Sequence, residues 1–223
     1  MASKPILYSY FRSSASWRVR IVLALKGVEY EYKAVNLVKD GGLQHSEEFK
    51  AINPMEQVPA FVIGETALTQ SLAIIDYLED MYPKPALTPQ DPIKKAQARA
   101  LAELISSGTQ PLTNSTVNKV LCKGNEAKTQ EWCQFWIDKG FTAYEKMVQN
   151  TAGKYSVGDD ITIADVCLVP QLYNAQSCTF RFKVDMSKFP TITRIINTCS
   201  ELPAFQAADP HVQPDCPEDL RKQ

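Results

Sequence analysis

Residues 4–33 read KPILYSYFRSSASWRVRIVLALKGVEYEYK, and this stretch decides the fold class of the first part of the chain. β-prone residues alternate over 4–10 and again over 28–33, which is typical of strands. Between them, apolar residues recur at helical spacing over 17–26, with Ser16 placed to cap the start of a helix and Gly27 to end it. Strand, helix and strand in this order predict a βαβ unit.

The next fifty residues continue with a helix, two strands and a further helix. The segment EEFKAI at 47–52 is predicted to be a short helix. Strands are predicted at 59–64 and 66–69, joined by a tight turn. A helix predicted over 71–82 ends before Pro83. The predicted order of elements is therefore β-α-β-α-β-β-α.

The remainder of the chain is predicted to be all-helical. Apolar residues now recur at steps of three and four, and strand patterns nearly vanish. We therefore predict an α/β domain at 4–84, a linker at 85–91 and an all-α domain at 92–223. The tail, 211–223, is rich in Pro and charge and should be irregular.

Composition and charge exclude several classes of function. The 24 Lys and Arg balance 25 Asp and Glu, and a net charge of −1 gives no reason to expect binding to nucleic acid or to an anionic membrane. The six Cys form no C-x-x-C pair, which argues against a zinc ribbon or a dithiol redox centre and for reduced thiols. No apolar run reaches transmembrane length, and the N-terminus lacks the features of a signal peptide. We expect an intracellular protein without a metal site.

The hydroxyl-rich turn after the first strand is the first candidate site. Ser13, Ser14 and Ser16 lie where a strand leads into a helix, and free N–H groups there favour an anion or a thiolate. A hydroxyl in this place can hydrogen-bond a thiolate and lower the pKa of the thiol. The alternative is that the serines only cap the helix. The neighbouring arginines suit carboxylate binding, although exposed helical arginines are usually just solvated; they are Arg12, Arg18 and Arg20.

Two further segments could bind a peptide-like ligand. A cis bond between Val58 and Pro59 would turn the Val58 N–H and C=O outward, although a trans bond is the commoner form. Ser71 suits the N-cap of the helix that follows it. The same helix end, together with the Gln70 amide, could instead receive a carboxylate.

Features of the helical part favour folding roles. Thr162 and Asp165 match a helix capping box, with Asp in place of the usual Glu or Gln. Cys167 lies in an apolar helical run and is expected in the core, as buried cysteines usually are. We therefore assign no chemistry to these residues.

Five motifs together resemble one family. They are Ser-Ser-x-Ser-Trp-Arg-Val-Arg-Ile at 13–21, Asn-Pro-Met-x-Gln-Val-Pro at 53–59, Gln-Ser-Leu-Ala-Ile-Ile at 70–75, Thr-Ala-Gly-Lys-Tyr at 151–155 and Ala-Asp-Val-Cys-Leu-Val-Pro-Gln at 164–171. From Lys4 to about Leu220 the chain resembles the zeta-class glutathione transferases, also called maleylacetoacetate isomerases. The resemblance implies a thioredoxin-like α/β N-terminal domain and an all-α C-terminal domain, usually in a homodimer.

The resemblance also implies glutathione as cofactor and a set of residues that hold it. Ser13 would hydrogen-bond and activate the glutathione thiolate, with Ser14 beside it in the catalytic role. The glutathione-binding residues of the N-terminal domain would be Ser13, Ser14, Ala15, Ser16, Trp17, Arg18, Gln44, Val58, Gln70 and Ser71. Those of the helical domain would be Gln110, Asn114, Ser115 and Thr116. Arg12 and Arg181 are the candidates for binding substrate carboxylates.

The family reaction is the isomerisation of maleylacetoacetate to fumarylacetoacetate in tyrosine and phenylalanine breakdown. In it the glutathione thiolate adds to the conjugated cis double bond, the resulting single bond rotates, and the thiolate leaves from the trans product. Members also transfer glutathione to small α-halo acids such as dichloroacetate. The resemblance thus implies a cytoplasmic enzyme, with a possible mitochondrial fraction, that acts on small dicarboxylates or α-halo acids.

The chain departs from the family at two places. The family motif reads Ser-Ser-Cys, whereas Ala15 stands third here; because the working sulfur belongs to glutathione, isomerisation should survive. The segment 174–182 is longer than in the family and lengthens a loop expected to border the substrate pocket.

Two other functions are open to such a chain. A non-catalytic binding or structural protein could keep this fold, but it would not need the intact set of Ser13, Gln57-Val58-Pro59 and Gln70-Ser71. A thiol-disulfide oxidoreductase needs cysteines where the first strand-to-helix turn has serines.

Overall fold

In the computed structural model, which describes residues 4–176 and 182–222, the strands form one four-stranded mixed sheet. They are β1 (Ile6–Ser9), β2 (Glu31–Ala34), β3 (Ala60–Ile63) and β4 (Thr66–Thr69), in the order β2-β1-β3-β4. β1 is parallel to β2, with Ile6 opposite Glu31, and antiparallel to β3, with Ile6 opposite Val62. β3 and β4 form an antiparallel hairpin. The sheet confirms the predicted α/β class of the first part of the chain.

Helices follow the predicted order. In the described residues they are α1 (Ser14–Leu25), α2 (Glu47–Ile52), α3 (Ser71–Met81), α4 (Pro92–Ser106), α5 (Ser115–Cys122), α6 (Glu126–Val148), α7 (Ile163–Gln176), α8 (Pro190–Ser200) and α9 (Pro203–Ala208). The first three complete the order β-α-β-α-β-β-α, and α4 to α8 form the predicted helical part. No helix in the described part of the chain is both long and apolar enough to cross a membrane.

The end of α1 is a Schellman motif. The Gly27 N–H donates to the Ala24 carbonyl at 3.2 Å, and the Val28 N–H donates to the Leu23 carbonyl at 2.9 Å. Gly27 has φ +65°, a backbone conformation that glycine adopts without steric cost. The predicted end of this helix is therefore confirmed.

The residues divide into two compact units. The first holds the chain up to Pro85 together with the segment from Pro203 onward, and the second holds Ala86–Leu202. The segment 85–91, expected to be a linker, for the most part begins the second unit. The reason is that Leu87 is buried and its carbonyl accepts a hydrogen bond from the start of α7.

The C-terminal residues belong to the first unit, so their assignment to the helical domain at 92–223 is wrong. Helix α9 packs against α1. Farther along, the Asp215 carboxylate accepts a hydrogen bond from the Phe11 N–H at 2.9 Å, and Cys216 is buried. The tail is therefore held in place by contacts with residues about 200 positions away, which its own composition does not reveal.

Asp165 organises the start of α7 in the second unit. Its carboxylate accepts the Thr162 N–H at 2.8 Å, the Thr162 hydroxyl at 3.0 Å and the Ser156 N–H at 2.8 Å, and it is fully buried. The Asp165 half of the predicted capping box is confirmed, whereas the Thr162 hydroxyl donates to the carboxylate instead of accepting from the helix. Cys167 lies in the core, as expected.

Candidate active site

Ser13 is the N-cap of α1, and the prediction of Ser16 for that role is wrong. Ser13 has an extended backbone (φ −66°, ψ 114°), and its Oγ accepts the Ser16 N–H at 3.1 Å. A serine hydroxyl accepts through its lone pairs and keeps one hydrogen to donate. The Ser13 O–H can therefore donate to a ligand while the oxygen is polarised by the helix.

The first turn of α1 provides a favourable place for negative charge. It contains no acidic residue, and the helix is 12 residues long, so its N-terminal N–H groups and dipole are not offset locally. Ser14, Ser16 and Trp17 are buried within this turn, and Ala15 is half-buried. In the described residues the Ser16 Oγ has no hydrogen-bond partner. This turn can stabilise an anion such as a thiolate.

Two arginines of α1 are buried and bound to protein atoms, so they are not the solvated helical arginines of the simpler interpretation. Arg18 donates from Nη1 to the Ser71 Oγ at 3.2 Å and so links the starts of α1 and α3. Arg20 donates to the Ser9 Oγ and to three backbone carbonyls, and burial lowers the pKa of its guanidinium. Both side chains therefore stabilise the structure around the turn through hydrogen bonds to protein atoms.

Arg12 directly precedes Ser13 and is half-buried. Its guanidinium lies 5.8 Å from the ring centroids of both Tyr10 and Phe11. Aromatic faces hold a guanidinium by cation–π attraction, which fixes this positive charge next to the turn. Arg181, the other carboxylate-binding candidate, lies outside the described residues.

Gln70 and Ser71 begin α3 in a manner the sequence did not reveal. The N-cap is Gln70, not Ser71, and Gln70 has φ 68° and ψ 117°. A positive φ is unfavourable for a residue with a side chain, and such strain concentrates at functional sites. Ser71 is buried and accepts the hydrogen bond from Arg18. The exposed Gln70 is thus presented at the start of a helix.

Val58 precedes β3, and the Val58–Pro59 bond is cis. The less common of the two forms considered is therefore the one present. Val58 lies outside the paired register of the sheet, which begins at Ala60. Asn53 holds the preceding turn, because its Nδ2 donates to the Gln57 carbonyl at 2.5 Å and its Oδ1 accepts the Met55 N–H at 3.0 Å.

Gln44 lies in a short 3-10 turn between β2 and α2. Its Nε2 is 3.0 Å from His45 Nε2, and the other nitrogen of that ring contacts the Glu56 carboxylate. Gly42 makes room for Gln44, since a Cβ at Gly42 would meet the Gln44 side chain at 2.4 Å, and its φ of +103° suits glycine. In the described residues the buried Gln44 Oε1 has no hydrogen-bond partner.

The remaining candidates lie in the second unit, in the connection between α4 and α5 and in the first turn of α5. The Gln110 carbonyl accepts the Thr113 hydroxyl at 3.0 Å. Asn114 is the N-cap of α5 and accepts the Thr116 N–H at 2.9 Å, while Ser115 is exposed. Their approach to a ligand held by the first unit stays a prediction.

Long-range hydrogen bonds stabilise the turn before Ser13, and the residues that make them were not identified from the sequence. Asp215 and Tyr32 are the clearest cases: the Tyr32 hydroxyl donates to Asp215 Oδ1 at 2.6 Å, and Phe11 donates to Oδ2. No local pattern marks either residue, because the partners are far apart in sequence.

Comparison with known proteins identifies similar chains. The N-terminal domain family of glutathione S-transferase matches residues 3–80, and the C-terminal domain family matches residues 112–207. The maleylacetoacetate isomerase of Mus musculus is 54% identical over 220 residues, which is 99% of each chain.

Solved structures are similar over nearly the whole chain. A maleyl pyruvate isomerase, titled a bacterial glutathione S-transferase in the zeta class, has a TM-score of 0.89 and 41% identity over 95% of this chain and 100% of that chain. The maleylacetoacetate isomerase from Anaeromyxobacter dehalogenans 2CP-1 with bound GSH has a TM-score of 0.86 and 44% identity over 97% and 100% of the two chains. The same protein with bound dicarboxyethyl glutathione and citrate has a TM-score of 0.84 and 43% identity at the same coverage.

Proposed function

The chain belongs to the glutathione transferase family, in the zeta class with the maleylacetoacetate isomerases, and on this premise we propose that it isomerises maleylacetoacetate to fumarylacetoacetate with glutathione as cofactor. We also propose that it transfers glutathione to small α-halo acids. When bound, glutathione supplies the nucleophilic thiol on which both reactions depend. The work of the chain is to bind this tripeptide, lower the pKa of its thiol and hold the substrate.

The residues of the first unit fit a small anionic peptide. Buried polar atoms that lack a hydrogen-bond partner in the described residues, Ser16 Oγ and Gln44 Oε1, lie on two segments proposed to bind it. The N–H groups at the start of α1 provide donors for an anion. The Ser16 hydroxyl and these N–H groups can donate to carboxylates and a thiolate, whereas Gln44 Oε1 can accept from an N–H group of a peptide.

Ser13 is the proposed activating group, and its hydrogen bonding is the observation that carries the proposal. Its oxygen already accepts the Ser16 N–H, so its hydrogen remains to be donated to sulfur. A hydrogen bond donated to a thiolate favours the charged form and lowers the thiol pKa. Ser14 and the start of α1 add to the same stabilisation.

The rest of the tripeptide would be held by backbone and amide groups. Gln70 and Ser71 are proposed for the γ-glutamyl end, because they begin α3 and α3 offers N–H groups to a carboxylate. Val58 would pair with the peptide backbone, and Gln44 would donate to its other end. In the same ligand set we include Ala15, Trp17 and Arg18 of the first unit and Gln110, Asn114, Ser115 and Thr116 of the second.

The substrate carries carboxylates, for which we propose Arg12 and Arg181. Arg12 adjoins Ser13, and the aromatic rings beside it restrict its guanidinium. Dicarboxyethyl glutathione and citrate, which are bound by the bacterial relative, also carry several carboxylates. We further propose a homodimer in the cytoplasm, with a mitochondrial fraction, as is usual in the family.

Replacement of Ser13 tests the proposal. In Ser13→Ala we expect kcat for the isomerisation of maleylacetone, a stable substrate analogue, to fall by roughly 100-fold, because one preorganised donor to the developing charge is lost. The apparent pKa of the bound glutathione thiol, followed by thiolate absorbance, should rise. Loss of the helix cap should also cost about 1 kcal/mol of folding free energy.

Asp91→Ala is the matched control for loss of a cap. Asp91 caps α4 through the equivalent hydrogen bond, in which its carboxylate accepts the Lys94 N–H at 2.8 Å. We expect Asp91→Ala to lose similar stability and to keep the wild-type kcat. Wild-type turnover in Ser13→Ala would exclude Ser13 as the activating group.

A further inference from the structure

Hydrogen bonds within the C-terminal segment, residues 209–222, fold it onto itself. Arg221 donates from Nε to the Cys216 carbonyl at 3.0 Å and from Nη2 to the Pro214 carbonyl at 2.9 Å. Lys222 donates to the Asp209 carboxylate at 2.5 Å. These bonds close the segment into a compact strap, although its composition predicts an irregular tail.

One side chain of this strap reaches the turn that carries Ser13. Asp215 accepts the Phe11 N–H at 2.9 Å through Oδ2 and the Tyr32 hydroxyl at 2.6 Å through Oδ1. Tyr32 belongs to β2, the neighbour of β1 in the sheet. The carboxylate therefore ties the strap both to the turn and to the sheet.

Arg20 holds the same turn from within the core. It donates to the Tyr10 carbonyl at 3.3 Å and to the Phe11 carbonyl at 2.9 Å, while its Nε donates to the Ala208 carbonyl in α9 at 3.2 Å. The Tyr10 carbonyl also accepts the Ser13 N–H at 2.9 Å and so closes the turn. Phe11 thus has its N–H bound by Asp215 and its C=O bound by Arg20.

Apolar packing joins the strap to two of the segments proposed to bind glutathione. Cys216 belongs to one buried cluster with Phe11, two residues before Ser13, and with Val58. Leu220 packs against the same cluster. A displacement of the strap would therefore disturb the turn at Ser13 and the loop at Val58 together.

We propose that Asp215 is a positioning residue for the isomerase reaction. Its carboxylate accepts hydrogen bonds from both the Phe11 N–H and the Tyr32 hydroxyl, and it thereby fixes the position from which the Ser13 hydroxyl donates to the glutathione thiolate. The proposal rests on the function proposed above. Asp215 acts through Phe11 and the backbone of the turn, and activation by a donated hydrogen bond is sensitive to displacements well below 1 Å.

The test compares variants of the two side chains that take part in these hydrogen bonds, Asp215 and Tyr32. Asp215→Ala should lower kcat by roughly 10- to 100-fold and raise the apparent pKa of the bound glutathione thiol, because the Phe11 N–H loses its acceptor and the turn is no longer held in place. Glutathione affinity, for which Gln70 and Ser71 are also proposed, should fall by a smaller factor than kcat. Tyr32→Phe keeps the bond to Phe11 and should have a smaller effect of the same sign.

Asp209→Ala is the matched control within the strap. The Asp209 carboxylate contacts His211 and Lys222, both in the strap, and the hydrogen bonds that tie Asp215 to the turn do not pass through it. We expect this variant to lower the melting temperature as Asp215→Ala does, yet to keep the wild-type thiol pKa. Asp215→Asn, which retains an acceptor for Phe11, should recover most of the activity.

The outcomes separate the two proposals. If Asp215→Ala has the wild-type kcat and thiol pKa, or if Asp209→Ala shifts them equally, the positioning role is overturned. Should Asp215→Ala not fold, a wild-type kcat and a wild-type thiol pKa in Tyr32→Phe overturn it instead. If the wild-type chain does not turn over maleylacetone with glutathione, the function proposed above fails, whatever the variants do.

Discussion

At the scale of single residues, the chemistry of the site depends on which hydrogen bonds each hydroxyl already makes. Ser13 accepts from the backbone and keeps its proton to donate, whereas Ser71 accepts from Arg18. Three serines within four positions suit a cap equally well, so local sequence does not select among them. The backbone conformation selects Ser13, since this residue is extended (φ −66°, ψ 114°) and its Oγ accepts the Ser16 N–H.

The cysteine side chains are expected to take no part in the reaction. Within the described residues, Cys122, Cys133, Cys167, Cys199 and Cys216 are buried, and burial raises the pKa of Cys133 to about 11. A buried, neutral thiol reacts slowly with alkylating agents. We therefore expect isomerase activity to stay within about twofold of its starting value after treatment of the native protein with iodoacetamide.

Ala15→Cys provides the contrast for that measurement. A thiol in the first turn of α1 would have a lowered pKa and react quickly. This variant should therefore lose activity on alkylation while the wild-type chain does not. Rapid inactivation of the wild-type chain would show that one of its own thiols serves the site.

At the scale of elements, helix ends do most of the positioning. The apolar periodicity of α1 and α3 predicted both helices, yet the cap was misplaced in each, at Ser16 and at Ser71. Periodicity reports which face is buried, whereas the cap depends on the backbone conformation of one residue, such as the positive φ of Gln70. The start of α7 was predictable because Thr162 and Asp165 are local partners.

Asp165 provides a stability prediction at this scale. Asp165→Ala would leave two buried N–H groups and one hydroxyl without their acceptor and should lower the free energy of unfolding by about 3 kcal/mol. Urea denaturation followed by tryptophan fluorescence measures it, since Trp132 and Trp136 lie in the same unit. The exposed Asp185, which caps a short 3-10 turn, is the control: Asp185→Ala should cost less than about 1 kcal/mol.

At the scale of the whole molecule, the division of the chain was the part least accessible to sequence reasoning. Local patterns predicted an α/β part followed by a helical part, and both are present. They did not predict that residues from Pro203 onward return to the first unit, because that return depends on bonds such as Phe11 to Asp215 across 204 positions. The segments of the candidate site carry motifs that are visible in the sequence, whereas a hydrogen bond such as that from Phe11 to Asp215 in the C-terminal strap has no local pattern.

In the proposed reaction the chain isomerises a cis double bond by means of the glutathione sulfur, which is released unchanged. The most direct measurement is the initial rate of maleylacetone isomerisation by the wild-type protein, with and without millimolar glutathione, while free glutathione is quantified. We expect turnover only when glutathione is present, with its concentration unchanged at the end. An equal rate without glutathione, or consumption of glutathione in proportion to product, would exclude this mechanism.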